Sequence, residues 1–154
     1  MLMPPSSRAG SMRWFDELLQ GRPCHIHGDG DTSRDFCHIG NVVQANLLAA
    51  TTQRPEAINQ VYNIAWGGRT TLNELYFRIR DALRALYPQL VVTQPLYEDF
   101  RSGDVRHSHA NIAKAARLLG YEPVCDVAAG LAQTAAWFMA QTQAQQLAQS
   151  GRQA

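Results

Sequence analysis

A glycine-rich segment, Gly28–Phe36, places the sharpest constraint on how this chain folds. Its two glycines allow tight backbone turns that residues with a side chain resist. The residues just before it, Cys24–His27, are typical of a short strand, so the sequence predicts a strand that ends in a tight loop. An arginine and an aspartate, Arg34 and Asp35, follow this loop directly.

A second segment that carries an arginine, Phe100–Ser108, follows about seventy residues later. Arginine has a permanent charge and a planar fork of donors, which suits phosphate. Arg34 and Arg101 are therefore predicted to form two walls of one anion-binding pocket. Asp35 and Asp104 are each close enough in sequence to orient an arginine or to bind a hydroxyl. The alternative is an ordinary surface salt bridge at each place.

The composition is that of a globular protein and narrows the classes of partner. Of the 154 residues, 45% are hydrophobic and 18% charged, and the formal net charge is +1. Nucleic acid and anionic membranes are therefore not predicted as partners. No apolar run approaches the ~20 residues of a membrane span, and the first residues lack the apolar core of a signal peptide. The three cysteines show no metal-ligand spacing, so we expect reduced thiols, no metal site and a cytoplasmic protein.

The predicted elements are mixed α and β, and they are too few for a complete nucleotide-binding sheet. Helices are predicted from Ser11 to Gly21, over Val42–Ala49, from a capping box at Thr71–Glu74 to Pro88, over Asn111–Gly120 and from Asp126 onward. Strands are predicted at Cys24–His27, Gln60–Ala65 and Leu90–Thr93, with a short extended stretch at Phe36–Ile39. Residues 1–10 are expected to be disordered, residues 11–140 to be folded and residues 141–154 to be a frayed tail.

Four segments resemble, in order and spacing, the C-terminal half of the extended short-chain dehydrogenase/reductases that act on nucleotide sugars. They are Gly28–Phe36, Gln60–Ala65, Arg101–Ser108 and Asn111–Tyr121. Within this family the chain is most similar to the bacterial UDP-N-acetylglucosamine 4-epimerase group. The resemblance implies a mixed α/β fold: a C-terminal substrate-binding lobe plus an edge piece of a Rossmann domain, without the N-terminal NAD-binding half. In the family, the segment equivalent to residues 36–61 packs onto the edge of the Rossmann sheet.

The resemblance also implies roles for individual residues. Arg34 and Arg101 resemble the two arginines that bind the phosphates of the UDP group. Asp104 resembles the carboxylate that contacts the ribose hydroxyls. His25 and His27 occupy the strand beside which the family packs the uracil base. The alternative for each histidine is a half-buried structural side chain.

Ser108 resembles the residue that lines the wall beside C2 of the sugar. A bulky aromatic residue there restricts the family to UDP-glucose and UDP-galactose, whereas a small residue leaves room for an N-acetyl group. Serine therefore predicts UDP-N-acetylglucosamine or UDP-N-acetylgalactosamine as substrate. The alternative is that Ser108 only caps the following helix. Gly40 and Asn111 depart from the acidic residues usual in the family, and both departures are interpreted as structural.

The catalytic parts of this family do not occur in the sequence. Epimerisation at C4 uses NAD, held by a GxxGxxG loop, and a YxxxK pair that moves the hydroxyl proton. No GxxGxxG is present, and the only lysine, Lys114, does not lie four residues after a tyrosine. We therefore predict no catalytic and no cofactor-binding residues in this chain, with NAD a property of the parent family.

Three functions remain open at this point. The chain is a C-terminal fragment of a UDP-N-acetylglucosamine 4-epimerase, a fragment of a sibling nucleotide-sugar dehydratase or decarboxylase, or a stand-alone nucleotide-sugar binding module. In the last case its partner would be a separate N-terminal Rossmann half.

Overall fold

The computed structural model describes residues 10–150 of the chain, and the side chains of residues 12–144. The elements follow in the order α1 (Gly10–Leu19), β1 (His25–His27), β2 (Ser33–Arg34), α2 (Ile39–Thr51), a 3₁₀ turn (Pro55–Ala57), β3 (Thr70–Thr71), α3 (Leu72–Leu86), β4 (Leu96–Glu98), α4 (Ala113–Leu119) and α5 (Val127–Ser150). The mixed α/β class predicted from the sequence is confirmed. The disorder expected for residues 1–9 lies outside the described residues.

The chain divides into two compact units. Unit 1 comprises the residues up to Gly30, Asn73–Arg101 and the residues from Leu131 onward. Unit 2 comprises Asp31–Leu72 and Ser102–Gly130. Each unit joins segments that are distant in sequence, so each depends on long-range packing.

Unit 1 contains a two-stranded parallel sheet in which β1 pairs with β4. Side chains alternate between the two faces of a strand, and Ile26 in the middle of β1 is fully buried. Other buried residues of this unit are aromatic and aliphatic. Phe15 and Phe138 stack with their ring centroids 4.9 Å apart. Leu75 and Ile79 of α3 are buried too, as the apolar stripe of that helix predicts.

Two strand predictions are wrong. Residues Gln60–Ala65 form no strand in the structure, and their Val61 is 86% exposed. Leu90–Thr93 forms no strand either, and the strand that pairs with β1 lies further along, at Leu96–Glu98. Side-chain type indicates which segments fit a sheet, but a strand exists only where a partner pairs with it.

The helices were predicted more accurately than the strands, because residues close in sequence mark where a helix begins and ends. Asp126 precedes α5, and its Oδ1 accepts a hydrogen bond from the amide of Ala129 at 2.7 Å. Gly120 ends α4 in the left-handed conformation, with φ of 69°. α5 continues to Ser150, and the part of the expected frayed tail at residues 151–154 lies outside the described residues. Over the described residues, no helix is long and apolar enough to cross a bilayer.

In unit 2, Asn41 ties the start of α2 to the segment that precedes α5. The residue is fully buried. Its Nδ2 donates to the carbonyl of Cys125 at 2.7 Å. Its Oδ1 accepts from the amides of Val124 and Cys125 at 3.1 and 3.0 Å. One side chain therefore satisfies three backbone groups, which matters because a buried polar group without a partner destabilises the fold.

One face of α2 is apolar and exposed. Ile39, Val43 and Leu47 follow one another at intervals of four residues and are 67%, 50% and 61% exposed. Residues spaced in this way lie on one side of a helix. Exposed apolar patches often mark surfaces that pack against another domain or partner. This is the helix that the resemblance assigns to the edge of a Rossmann sheet.

We expect the isolated chain to bind a hydrophobic dye through this helix face. The double variant Val43→Gln, Leu47→Gln should lower dye fluorescence clearly, because it removes two of the three apolar side chains of the stripe. Val124→Gln is the control, since it changes a 77% exposed side chain in a loop. Equal dye fluorescence of the wild type and both variants, or none in the wild type, would contradict this expectation.

Candidate functional site

The loop after β1 requires glycine at two positions. Gly28 and Gly30 both have φ of +79°, in the left-handed region that favours glycine. A Cβ on Gly28 would overlap the ring of Phe100, and one on Gly30 would overlap the carboxamide of Asn73. The tight loop predicted from the sequence is therefore confirmed, and two side chains of unit 1 pack directly on its backbone.

Arg34 of unit 2 is held by one carboxylate and two backbone carbonyls. Its Nη2 lies 2.5 Å from Oδ1 of Asp104, and its Nη1 donates to the carbonyls of Ser33 and Arg106 at 3.0 and 3.4 Å. The side chains of Arg34 and Asp104 are 27% and 40% exposed. A partly exposed pair of this kind adds little to stability. Its main effect is to orient a guanidinium whose five N–H donors are not all used by these three acceptors.

The carboxylate that orients Arg34 is Asp104 and not the neighbouring Asp35. Asp35 has a side chain that is only 4% exposed. It accepts hydrogen bonds from the amide of Gly67 at 3.1 Å and from that of Ala110 at 3.4 Å. The prediction that Asp35 orients an arginine or binds a hydroxyl is therefore wrong. Its carboxylate is used to fasten two backbone segments of unit 2.

The segment around His107 runs alongside β2. The amide of Ser33 donates to the carbonyl of Arg106 at 2.9 Å, and the amide of Ser108 donates to the carbonyl of Ser33 at 3.1 Å. Ser33 Oγ and His107 Nδ1 lie 2.9 Å apart. Sequence reasoning missed this contact, because no local motif links residues 74 positions apart.

The backbone amide of Ser108 is hydrogen-bonded to Ser33, and the Ser108 side chain is exposed. One of the two interpretations of the sequence was that Ser108 caps the following helix, and it does not. The first amide of α4, that of Ala113, bonds instead to Oδ1 of Asn111 at 2.9 Å. Asn111 lies one residue before the N-cap of α4, Ile112, whose own side chain makes no capping bond, so the prediction that Asn111 is the cap of this helix is wrong by one position.

In unit 1, His25 and His27 share the carboxylate of Glu98. Oε1 of Glu98 lies 2.5 Å from Nδ1 of His25, and Oε2 lies 3.3 Å from Nδ1 of His27. The parallel register sets His27 opposite Glu98. Glu98 was not among the predicted site residues, because the strand that carries it, β4, was not predicted.

Arg101, also in unit 1, contacts one of these histidines. Its Nη2 lies 2.7 Å from Nε2 of His27. Each of the two predicted arginines is therefore held by a side chain of its own unit, Arg34 by Asp104 and Arg101 by His27. Contacts of these residues with a nucleotide stay predictions.

Neither thiolate nor metal chemistry is indicated by the described side chains. Burial raises the pKa of Cys24 to about 12 and also raises the pKa of Cys37. Both thiols are therefore protonated at neutral pH, and no cysteine of the chain forms a disulfide. Within the described residues, no three His, Cys, Asp or Glu side chains are grouped to hold a metal ion.

Part of the chain matches a known protein family. Residues 6–65 match the NAD dependent epimerase/dehydratase family. The UDP-glucose 4-epimerase of Mycolicibacterium smegmatis is 32% identical over 140 residues, which cover 90% of this chain and 42% of that protein.

Two solved structures share the fold and extend the comparison. UDP-glucose 4-epimerase from Thermotoga maritima, solved with UDP-glucose, is 33% identical with a TM-score of 0.76, covering 90% of this chain and 42% of that chain. UDP-N-acetylglucosamine 4-epimerase from Methanobrevibacter ruminantium, in complex with UDP-N-acetylmuramic acid, is 31% identical with a TM-score of 0.74, covering 88% and 40%.

The chain spans about two fifths of the length of these relatives. NAD is the cofactor of the family, but this sequence contains no GxxGxxG loop to hold it. Part of the chain, residues 6–65, therefore matches the NAD dependent epimerase/dehydratase family, and the chain is similar to one part of nucleotide-sugar 4-epimerases.

Proposed function

We propose that this chain binds UDP-N-acetylglucosamine or UDP-N-acetylgalactosamine as the substrate-binding part of a UDP-sugar 4-epimerase. The observation that carries the proposal is the orientation of Arg34 by Asp104, directly after the glycine loop. An oriented guanidinium with donors to spare suits a phosphate group, because charge-assisted bonds to phosphate are strong and directional.

In this proposal the two arginines supply most of the affinity for the UDP group. Arg34 and Arg101 each donate to phosphate oxygens, and Asp104 accepts from the ribose hydroxyls. His25 lies beside the uracil base. The relatives solved with UDP-glucose and with UDP-N-acetylmuramic acid support a UDP-sugar as the ligand class.

The chemistry at C4 belongs to the half of the family that this chain does not contain. There, bound NAD supplies the hydride chemistry. What this chain contributes is binding, since a UDP group held by two guanidinium groups keeps the attached sugar in a defined place. The proposal therefore requires an N-terminal Rossmann half of this family to supply the catalytic groups.

Complementation tests the proposal. The chain with NAD alone is expected to convert no UDP-N-acetylglucosamine, because it carries no YxxxK pair. Joined to the N-terminal half of a related epimerase, it is expected to form UDP-N-acetylgalactosamine, detected by chromatography. Turnover by the chain alone, or no turnover by a folded fusion that binds NAD, would overturn the proposal.

Ser108 is proposed to set the substrate range of such a fusion. Ser108→Tyr is expected to abolish turnover of UDP-N-acetylglucosamine and to retain that of UDP-glucose, because a tyrosine ring takes the volume of the N-acetyl group while the smaller hydroxyl still fits. Both sugars are assayed side by side in the same preparation. Equal losses for the two, or continued use of the N-acetyl sugar, would remove Ser108 from the sugar site.

A second fusion, to the N-terminal half of a nucleotide-sugar dehydratase, tests the two alternative functions. The family includes dehydratases by its own description, and a dehydratase would release a 4-keto-6-deoxy sugar in place of an epimer. The other alternative is a stand-alone binding module without either catalytic motif. Such a module would bind the UDP-sugar and give neither product.

A further inference from the structure

The neighbours of His27 specify which of its two ring nitrogens carries a proton. On one side, Nε2 lies 2.7 Å from Nη2 of Arg101. A guanidinium has only donors, so Nε2 must accept and therefore carries no proton. On the other side, Nδ1 lies 3.3 Å from Oε2 of Glu98 and 3.4 Å from the carbonyl oxygen of Asp99. Both of these are acceptors, so Nδ1 carries the proton.

The geometry points to a positioning role for His27: as the neutral Nδ1–H tautomer, anchored by Glu98, it accepts a bond from Arg101 and holds that guanidinium ready for phosphate. The inference rests on the proposed function, because only that function gives Arg101 a phosphate to bind. It gives His27 a different task from the base contact that the sequence suggested.

Pairing of β1 with β4 holds the backbone of His27 in place. The amide of Gly28 donates to the carbonyl of Glu98 at 2.8 Å, so the chain stays paired with β4 just beyond His27. Arg101, by contrast, lies on an exposed segment without regular structure. A long side chain that is already held loses less conformational freedom when a ligand binds, and this raises affinity.

The groups on both sides of the imidazole are satisfied by a single proton, on Nδ1. Glu98 faces Nδ1 from β4, Arg101 faces Nε2, and His25 on the same strand shares the carboxylate of Glu98. A second proton on His27 would lie on Nε2 and point at the donors of Arg101. Two N–H donors, one on His27 and one on Arg101, would then face each other, and the hydrogen bond between these side chains would be lost.

A double-mutant cycle on UDP affinity separates this role from a direct contact with uracil. His27→Phe keeps a ring but removes the acceptor, and should weaken UDP binding about two- to tenfold, the size of one side chain's ordering cost. His27→Gln supplies an oxygen that can accept, and should bind UDP closer to the wild type. In an Arg101→Ala background, His27→Phe should have no further effect.

Two results of this cycle would overturn the inference. One is an equal loss in the glutamine and phenylalanine variants, since the acceptor would then be irrelevant. The other is a loss from His27→Phe that persists in full without Arg101, as a direct contact with the base would produce.

A second measurement needs no ligand, so it distinguishes failure of the inference from failure of the proposed function. Nitrogen-15 NMR of the imidazoles should show His27 protonated at Nδ1 and bare at Nε2, and Arg101→Ala should shift this tautomer balance. A proton on Nε2 in the wild type, or a balance that Arg101→Ala leaves unchanged, would overturn the inference. Absence of UDP binding together with the expected tautomer would overturn only the proposed function.

Discussion

Replacing Arg34 or Arg101 by alanine is expected to lower the affinity for UDP about ten- to a hundred-fold. If the proposed function holds, each change removes a charge-assisted partner of the phosphates, which is worth roughly 1.5–3 kcal/mol. Arg34 is already oriented by Asp104 and Arg101 by His27, so little affinity is spent on ordering them. Isothermal titration calorimetry with UDP measures both losses directly.

Two further arginines give matched controls, one in each unit. Arg80→Ala removes a charge that pairs with Asp81 on α3. Arg54→Ala removes one whose Nη1 donates to the carbonyl of Arg117 at 3.0 Å. Both should bind UDP as the wild type does, because neither is predicted to reach the ligand. If Arg34→Ala and Arg101→Ala also bind UDP as the wild type does, the assignment of the phosphate-binding residues is wrong.

Asn41→Ala is expected to lower the free energy of unfolding by about 2–4 kcal/mol. The alanine leaves three backbone groups, at Val124 and Cys125, without the partner they have in the structure. The two groups of Cys125 are buried, so water does not replace their lost hydrogen bonds. Urea unfolding followed by circular dichroism measures the change.

Asn46→Ala is the control for this variant. Asn46 lies on the same helix, but its side chain is exposed. The same change of residue there should alter the free energy of unfolding by less than about 0.5 kcal/mol. Equal urea midpoints for the two variants would show that the Asn41 bonds do not stabilise unit 2 in the way described.

Helices could be predicted from the sequence where their ends are marked by nearby residues. Asp126 and Gly120 act within a few positions of themselves, so a cap is visible without knowledge of the fold. Strands depend on pairing between distant segments. β4 pairs with β1 some seventy residues earlier, with Leu96 opposite His25, and no local pattern shows which stretch will find a partner. Val61 has the residue type of a strand and yet lies exposed without one.

The candidate site also has a part that could be predicted from the sequence and a part that could not. Arg34, Arg101, Asp104 and His27 all stand out in the sequence, but the sequence does not show which acceptor holds which arginine. Asp104 is 70 positions from Arg34, and His27 is 74 positions from Arg101. Sequence proximity favoured Asp35 as the partner of Arg34, but the fold buries that carboxylate against backbone amides instead.

The central claim is that this chain binds a nucleotide through its phosphates, and titration of the wild-type chain with UDP and with uridine tests it most directly. The two ligands share the base and the ribose and differ only in the diphosphate. We predict saturable binding of UDP and binding of uridine that is at least about tenfold weaker, since uridine offers the arginines no charged acceptor. Equal affinity for the two ligands, or no saturable binding of UDP by the folded chain, would contradict the claim.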